Sequence, residues 1–130
     1  LDPETTKSGA REQALLDVYR YQVGASSTIA TVLRTDPSTD VKSVAIDVFR
    51  LRWKAGTDPS GAQSGTSWCA KSASTGALKS KCLKLLGDLG DAKAGAVIGS
   101  QIGSDDKEVR DGAGSACKKW MDRFPNGNCA

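Results

Sequence analysis

Four cysteines are the residues of this chain best suited to covalent chemistry: Cys69, Cys82, Cys117 and Cys129. An even count in a small domain reads as two disulfides, with three connectivities open. None stand as C-x-x-C, which speaks against a zinc knuckle or a thioredoxin-like redox site. Pairing Cys69 with Cys82 and Cys117 with Cys129 closes short local loops and is favoured, each loop worth ~3 kcal/mol in the chain-entropy model. The plainer reading makes the cysteines small buried hydrophobes. Cys82 and Cys117 do fall on apolar helical stripes, but Cys129 sits in a turn-rich tail where only a tether explains it. Paired cysteines imply an oxidising compartment: secreted, periplasmic or cell-surface.

Other chemistry is thin. The chain has no histidine, which excludes Ser-His-Asp and Cys-His triads, His-ligated metals and a histidine pH switch. Asp105 and Asp106 are adjacent carboxylates, but at a helix start they read as caps. Asp88 and Asp91 flank a turn. No P-loop, nucleophile elbow or EF-hand loop occurs, and the Gly-rich stretch 56–67 lacks the Lys-Ser/Thr ending that cradles phosphate. The expectation is therefore no catalytic residues, no cofactor, no metal and no enzyme.

Binding residues are better represented. The net charge of +3 is too mild to demand a nucleic-acid or membrane partner. Its distribution is uneven: Lys71, Lys79, Lys81 and Lys84 fall in a window with no acid. That reads as a solvated lysine face or, more sharply, as a docking patch for an anionic partner. Arg50, Arg52 and Lys54 form a second basic cluster. Trp53, Trp68 and Trp120 are the largest side chains in a sequence with 5% aromatics. Trp68 directly follows the Gly-rich stretch and is a candidate anchor, for a partner or for its own cysteine-linked segment.

These residues need elements to position them. At 130 residues the chain is one ordinary domain or a short repeat array. With 38% hydrophobic and 25% charged residues it reads as a globular chain. No apolar run approaches the ~20 residues that cross a bilayer. No signal peptide is visible and the first residue is Leu1, so the chain reads as mature or trimmed, opening on a polar leader.

Leu15, Val18, Tyr19 and Gln22 predict a helix over 6–22, ended near Gly24. Ile29, Ala30 and Leu33 mark a short helix over 26–34. A turn at 35–38 follows, where Asp36 or Ser38 can cap the next element. Val41, Val44, Ala45, Val48, Phe49 and Arg52 predict an amphipathic helix over 39–54. The stretch 56–67 has loop composition and reads as the most mobile segment. Trp68 then opens a short helix to about 74. Leu78, Cys82, Leu85, Leu86 and Leu89 predict a helix over 75–89, ended by Gly90. Ala94, Val97, Ile98 and Ile102 predict another, weakened by Gly99 and Gly103. Val109, Ala113, Ala116, Cys117 and Trp120 predict the last, with acids crowding its start and bases its end, as the helix dipole favours. It stops at Phe124-Pro125-Asn126-Gly127. No segment reads as a strand.

This pattern contains a duplication. A shift of about 67 residues places Leu15, Val18 and Tyr19 on Cys82, Leu85 and Leu86. The turn 35–41 falls on 103–109, Ala45 on Ala113, Phe49 on Cys117, and Trp53 near Trp120. Each half is long helix, short helix, turn, long helix, and such units bury their apolar faces by stacking.

The stretch Leu86-Gly87-Asp88-Leu89-Gly90-Asp91-Ala92, followed by Asp105-Asp106-Lys107-Glu108-Val109-Arg110-Asp111-Gly112-Ala113, resembles a HEAT or HEAT-like repeat. Val109, Arg110 and Ala113 match the element that opens the second helix of such a repeat. Asp40, Val41, Lys42 and Ala45 match it more loosely, with Lys42 where Arg is usual. The resemblance covers roughly 8–54 and 75–123, the two units being joined by the 56–67 loop. It implies an all-α fold: a short right-handed α-solenoid of stacked antiparallel helix pairs, here disulfide-stabilised. It also implies that Asp105 or Asp106 and Arg110 fix inter-repeat geometry.

The function expected from this is non-catalytic macromolecule binding by a secreted or cell-envelope protein, the partner most naturally a protein held on the concave face of the second helices. The alternative is an anionic polymer, nucleic acid or acidic polysaccharide, contacted by Arg50, Arg52, Lys71, Lys79, Lys81 and Lys84. Some DNA glycosylases use HEAT-like folds. A third reading is a structural piece of a longer array, with the polar leader and the Cys129 tail serving as caps.

Overall fold

The computed structural model describes residues 7–20 and 26–129. Among these there are seven helices and no strand: α1 (Ser8–Arg20), α2 (Ser26–Thr35), α3 (Thr39–Lys54), α4 (Pro59–Ser72), α5 (Gly76–Leu89), α6 (Ala94–Gly99) and α7 (Lys107–Arg123). The fold class is all-α, as the periodicities predict. The chain divides into two compact units, Leu1–Gly65 and Thr66–Ala130, with the division falling inside α4. The leader at 1–6, the side chains of Val18 and Tyr19, and the expected helix end at Gln22–Gly24 lie outside the described residues.

In the first unit α1 and α2 both pack on α3. Ser38 starts α3 from extended backbone, its side chain accepting from the Val41 amide at 3.3 Å. Ser38, not Asp36, is therefore the cap. Val41, Ala45, Val48 and Phe49 recur at helical spacing and are fully buried, with Leu15, Ile29 and Leu33 completing the core. Gly56, at φ 74°, ends the helix. Its amide reaches the Trp53 carbonyl and the Thr57 amide reaches the Arg52 carbonyl, a Schellman pair.

From Pro59 on, the segment expected to be a loop is helical instead, which corrects the reading of 56–67. Two local causes and one of packing explain α4. Asp58 accepts from the Gly61 amide at 3.1 Å and so caps the helix. Pro59 occupies the first helical position, where its missing N–H costs nothing. Ala62, Gly65, Thr66, Cys69 and Ala70 then follow one another at helical spacing, and all are buried. The composition that suggested a loop is that of a closely approached helix. A Cβ on Gly65 would stand 2.6 Å from the Phe49 ring, so only glycine lets the aromatic lie against the helix there.

In the second unit Thr75 caps α5 through the Leu78 amide at 3.2 Å. Asp106 caps α7 through the Glu108 amide at 2.9 Å. These long helices run side by side in the same direction. Gly76 faces the Asp106 side chain at one end, Gly112 faces Ser80, and Gly87 faces the Ala116 backbone further along. At the far end the Arg123 guanidinium donates to the carbonyls of Leu86 (3.3 Å) and Gly87 (2.8 Å). Leu83, Leu86, Ile98, Val109, Ala113, Ala116 and Trp120 form the core. The expected helix through Ile102 stops at Gly99, and turn bonds from Gln101, Ile102 and Ser104 finish that stretch. Cys69 pairs with Cys82 and Cys117 with Cys129, at Cα separations of 6.0 and 5.9 Å. No described helix is long and apolar enough to cross a membrane.

Candidate interaction surface

The second unit carries an open groove of about 480 Å³ between α5 and α7. Ser80 and Lys84 line it from α5. Lys107, Glu108, Asp111 and Ser115 line it from α7. Glycine at 112 is what lets Ser80 sit against α7 at the floor. Ser80, Gly112 and the capped helix starts thus set a valley lined by polar and charged residues.

Two of its four charges are paired with each other. Lys107 and Asp111, one turn apart on α7, meet at 2.7 Å. The hydrogen bond from Lys107, then its charge, holds the Asp111 carboxyl below the usual range, with Arg110 adding to the effect. Outside the groove, Lys119 approaches Asp88 at 3.3 Å, linking α7 to α5. Lys84 and Glu108 carry no ion pair among the described residues, so each presents an unmatched charge to whatever enters.

The three lysines of α5 do not share one face. Lys71 and Lys84 are exposed, whereas Lys79 and Lys81 are half-buried. At about 100° per residue, Lys81 and Lys84 are roughly 60° apart around α5, but Lys79 is about 160° from Lys81. Only Lys84 reaches the groove. Arg50 is half-buried. Arg52 is 4% exposed and its Nε has no hydrogen-bond partner, which removes it as a surface contact. Its position on the apolar stripe with Val41, Ala45, Val48 and Phe49 is the reason: the stripe turns it inward. Trp68 is half-buried in α4 and Trp53 half-buried in α3. Trp120 is 3% exposed, and its indole N–H donates to the Asp91 carbonyl at 2.9 Å.

Of the residues assigned to repeat geometry, Arg110 acts locally, whereas Asp106 also faces Gly76 of α5. Arg110 donates to the carbonyls of Ser104 (2.9 Å) and Asp105 (3.1 Å), bracing the turn before its own helix. Asp106 is the α7 cap and Asp105 is exposed.

The most buried ion pair among the described residues was not foreseen. The Arg11 guanidinium donates to both oxygens of Asp36, at 2.7 and 2.9 Å, tying α1 to the turn between α2 and α3. Asp36 is 3% exposed and also accepts from the Ser38 amide at 2.9 Å. Burial pushes its carboxyl upward. The hydrogen bonds from Arg11 and Ser38, with the charges of Arg11 and Lys42, together outweigh burial and hold it below the usual value. The groove residues Glu108, Asp111 and Ser115 were also missed, although their spacing on the polar side of α7 was readable as one face.

A groove with one ion pair, two unmatched charges and two hydroxyls, open to solvent, can hold an extended polar segment by hydrogen bonds and ion pairs. It lacks the enclosure that small-molecule sites have. No family model matches this chain, and no curated protein or solved structure is significantly similar to it.

Proposed function

We propose that this chain is a non-catalytic binding module of a secreted or cell-envelope protein, and that its partner is another protein. The observation that carries the reading is the charge balance of the α5–α7 groove: Lys84 and Lys107 stand there with Glu108 and Asp111. An anionic polymer would meet two carboxylates on entering. A protein segment of mixed charge would find a complement to each. The carboxyls held below their usual range belong to ion pairs with structural work: Asp36 with Arg11 ties α1 to the turn before α3, and Asp111 with Lys107 braces one turn of α7. That supports binding over catalysis. The parallel α5 and α7, with short α6 between them, support a HEAT-like solenoid as the architecture. The two cysteine pairings support an oxidising location.

A photo-crosslinking residue in place of Ser115, in the groove, tests the reading against one in place of Ser60, an exposed position on α4. The expected result is a protein adduct from position 115 alone, lost when Lys84→Glu and Glu108→Lys are combined. The second reading, anionic-polymer binding, is favoured by the exposed Lys71 and Lys84. Retention on heparin or DNA that collapses between roughly 50 and 200 mM salt would establish it and overturn the first. Location is tested by alkylating, in denaturant, the protein isolated from its native compartment. No free thiol is expected; four would remove the export argument.

A further inference from the structure

The two disulfides stand in different surroundings. Cys69 and Cys82 are both fully buried. Cys129 is 2% exposed, but its partner Cys117 is half-buried on α7 and reachable from solvent. Of the two bridges only Cys117–Cys129 therefore includes a cysteine partly exposed to solvent, and access governs exchange.

That bridge holds a strap. Beyond Phe124 the chain turns through a bond from the Gly127 amide to the Phe124 carbonyl at 2.8 Å. Gly127 then lies against the six-membered ring of Trp120, whose rim on another side meets Gly95 of α6. A Cβ on either glycine would come within 2.6 Å of the indole. Cys129 ends the strap with its carbonyl against Gly99. Phe124 stacks on Trp120 at 5.1 Å, and beside them Trp120, Phe124, Pro125 and Gly127 line a mostly apolar cavity of about 340 Å³. Segment 125–129 thus covers the aromatic end of α7, and the bridge tethers its far end.

We propose that Cys117–Cys129 is a site of thiol–disulfide exchange with a dithiol reductant, and that its opening releases 125–129 and uncovers Trp120. The thiolate of the reductant attacks the Cys117 sulfur. A bond forms between them, the Cys117–Cys129 bond breaks, and the electron pair leaves on Cys129 as a thiolate. The second thiol of the reductant then displaces Cys117, so the dithiol is oxidised to its cyclic disulfide as the protein bridge gains two electrons. Cys69–Cys82 stays closed throughout.

The test uses the folded full chain with dithiothreitol and no denaturant, followed by alkylation and peptide mapping. Cys117 and Cys129 should become labelled at least about tenfold faster than Cys69 and Cys82. Acrylamide quenching of tryptophan fluorescence should rise in step, and Trp120→Phe should abolish the rise. Equal labelling of both bridges, or earlier labelling of Cys69 and Cys82, would overturn the proposal. So would selective reduction with no rise in quenching. If Trp120→Phe does not fold, hydrogen exchange of the unsubstituted chain decides: loss of Gly127 amide protection on reduction supports release of the strap, and retained protection refutes it.

Discussion

Replacing Gly87 by alanine should weaken the second unit, whereas the same change at Gly114 should strengthen it. Both lie inside long helices, where alanine is intrinsically better than glycine by ~1 kcal/mol. At Gly114 a Cβ meets nothing within 4 Å, so that gain should appear almost whole. At Gly87 a Cβ would stand 2.8 Å from both the Cα and the carbonyl oxygen of Ala116. Those are backbone atoms and cannot swing aside. Reaching an ordinary contact of 3.4 Å requires α5 to retreat from α7 by about 0.6 Å. The retreat disturbs the 2.8 Å bond from Arg123 to the Gly87 carbonyl. Overpacking of this kind costs ~1–3 kcal/mol, so after the helix gain Gly87→Ala should lose ~0–2 kcal/mol. The two variants should therefore differ by ~1–3 kcal/mol, or roughly 5–15 °C in Tm. Gly112→Ala should fall between them, since it meets the flexible hydroxyl end of Ser80. Thermal and urea unfolding followed by far-UV circular dichroism give the ranking. A Gly87→Ala protein as stable as Gly114→Ala would refute the close parallel approach of α5 and α7.

The acid limb should report on Asp36. Its folded pKa lies below the ordinary carboxylate value of about 3.9, so its contribution is fully present above that pH and is lost as pH falls through the folded value. Asp36→Asn should be less stable than the unsubstituted chain at pH 7, and the gap should narrow in strong acid; a gap of constant size would count against the pair. At the start of α4, Asp58→Ala should lose ~1 kcal/mol for the cap, with a further ~1 kcal/mol for a Cβ residue at positive φ whose polar side chain is gone. Asp58→Asn should stay close to the unsubstituted chain, and hydrogen exchange at Gly61 is the readout. The two disulfide loops separate their cysteines by 13 and 12 residues, so the loop-closure terms are nearly equal at ~3 kcal/mol. Cys69→Ala with Cys82→Ala should nonetheless cost more than Cys117→Ala with Cys129→Ala, because both sulfurs of the first pair are fully buried. Equal losses by chemical denaturation would mean that burial adds nothing there.

What was legible in the residues was whatever depends on neighbours within a few positions. Val41 through Phe49, Leu78 through Leu86, and Val109 through Trp120 repeat apolar side chains at helical spacing with at least one large residue in each run, and each is a helix with a buried stripe. Cys129 in a turn-rich tail pointed to a tether, and its bridge to Cys117 closes the loop that spacing favoured. Periodicity was present in α4 as well, but it was written in Ala62, Gly65, Thr66, Cys69 and Ala70. Small residues signal burial only once a neighbour fills the space they leave, and that neighbour, Phe49, is 16 residues from Gly65. The same limit hid the ion pair between Arg11 and Asp36, 25 residues apart, and the inward turn of Arg52. It also hid the groove, because Lys84 and Glu108 come to line one groove only when Gly112 lets Ser80 approach α7. Helix and cap formation are decided by local backbone and side-chain chemistry, which a linear reading contains. Which charges pair, which glycines are crowded and which cysteine stays open to solvent are decided by approach between distant segments, and that exists only once the chain has folded.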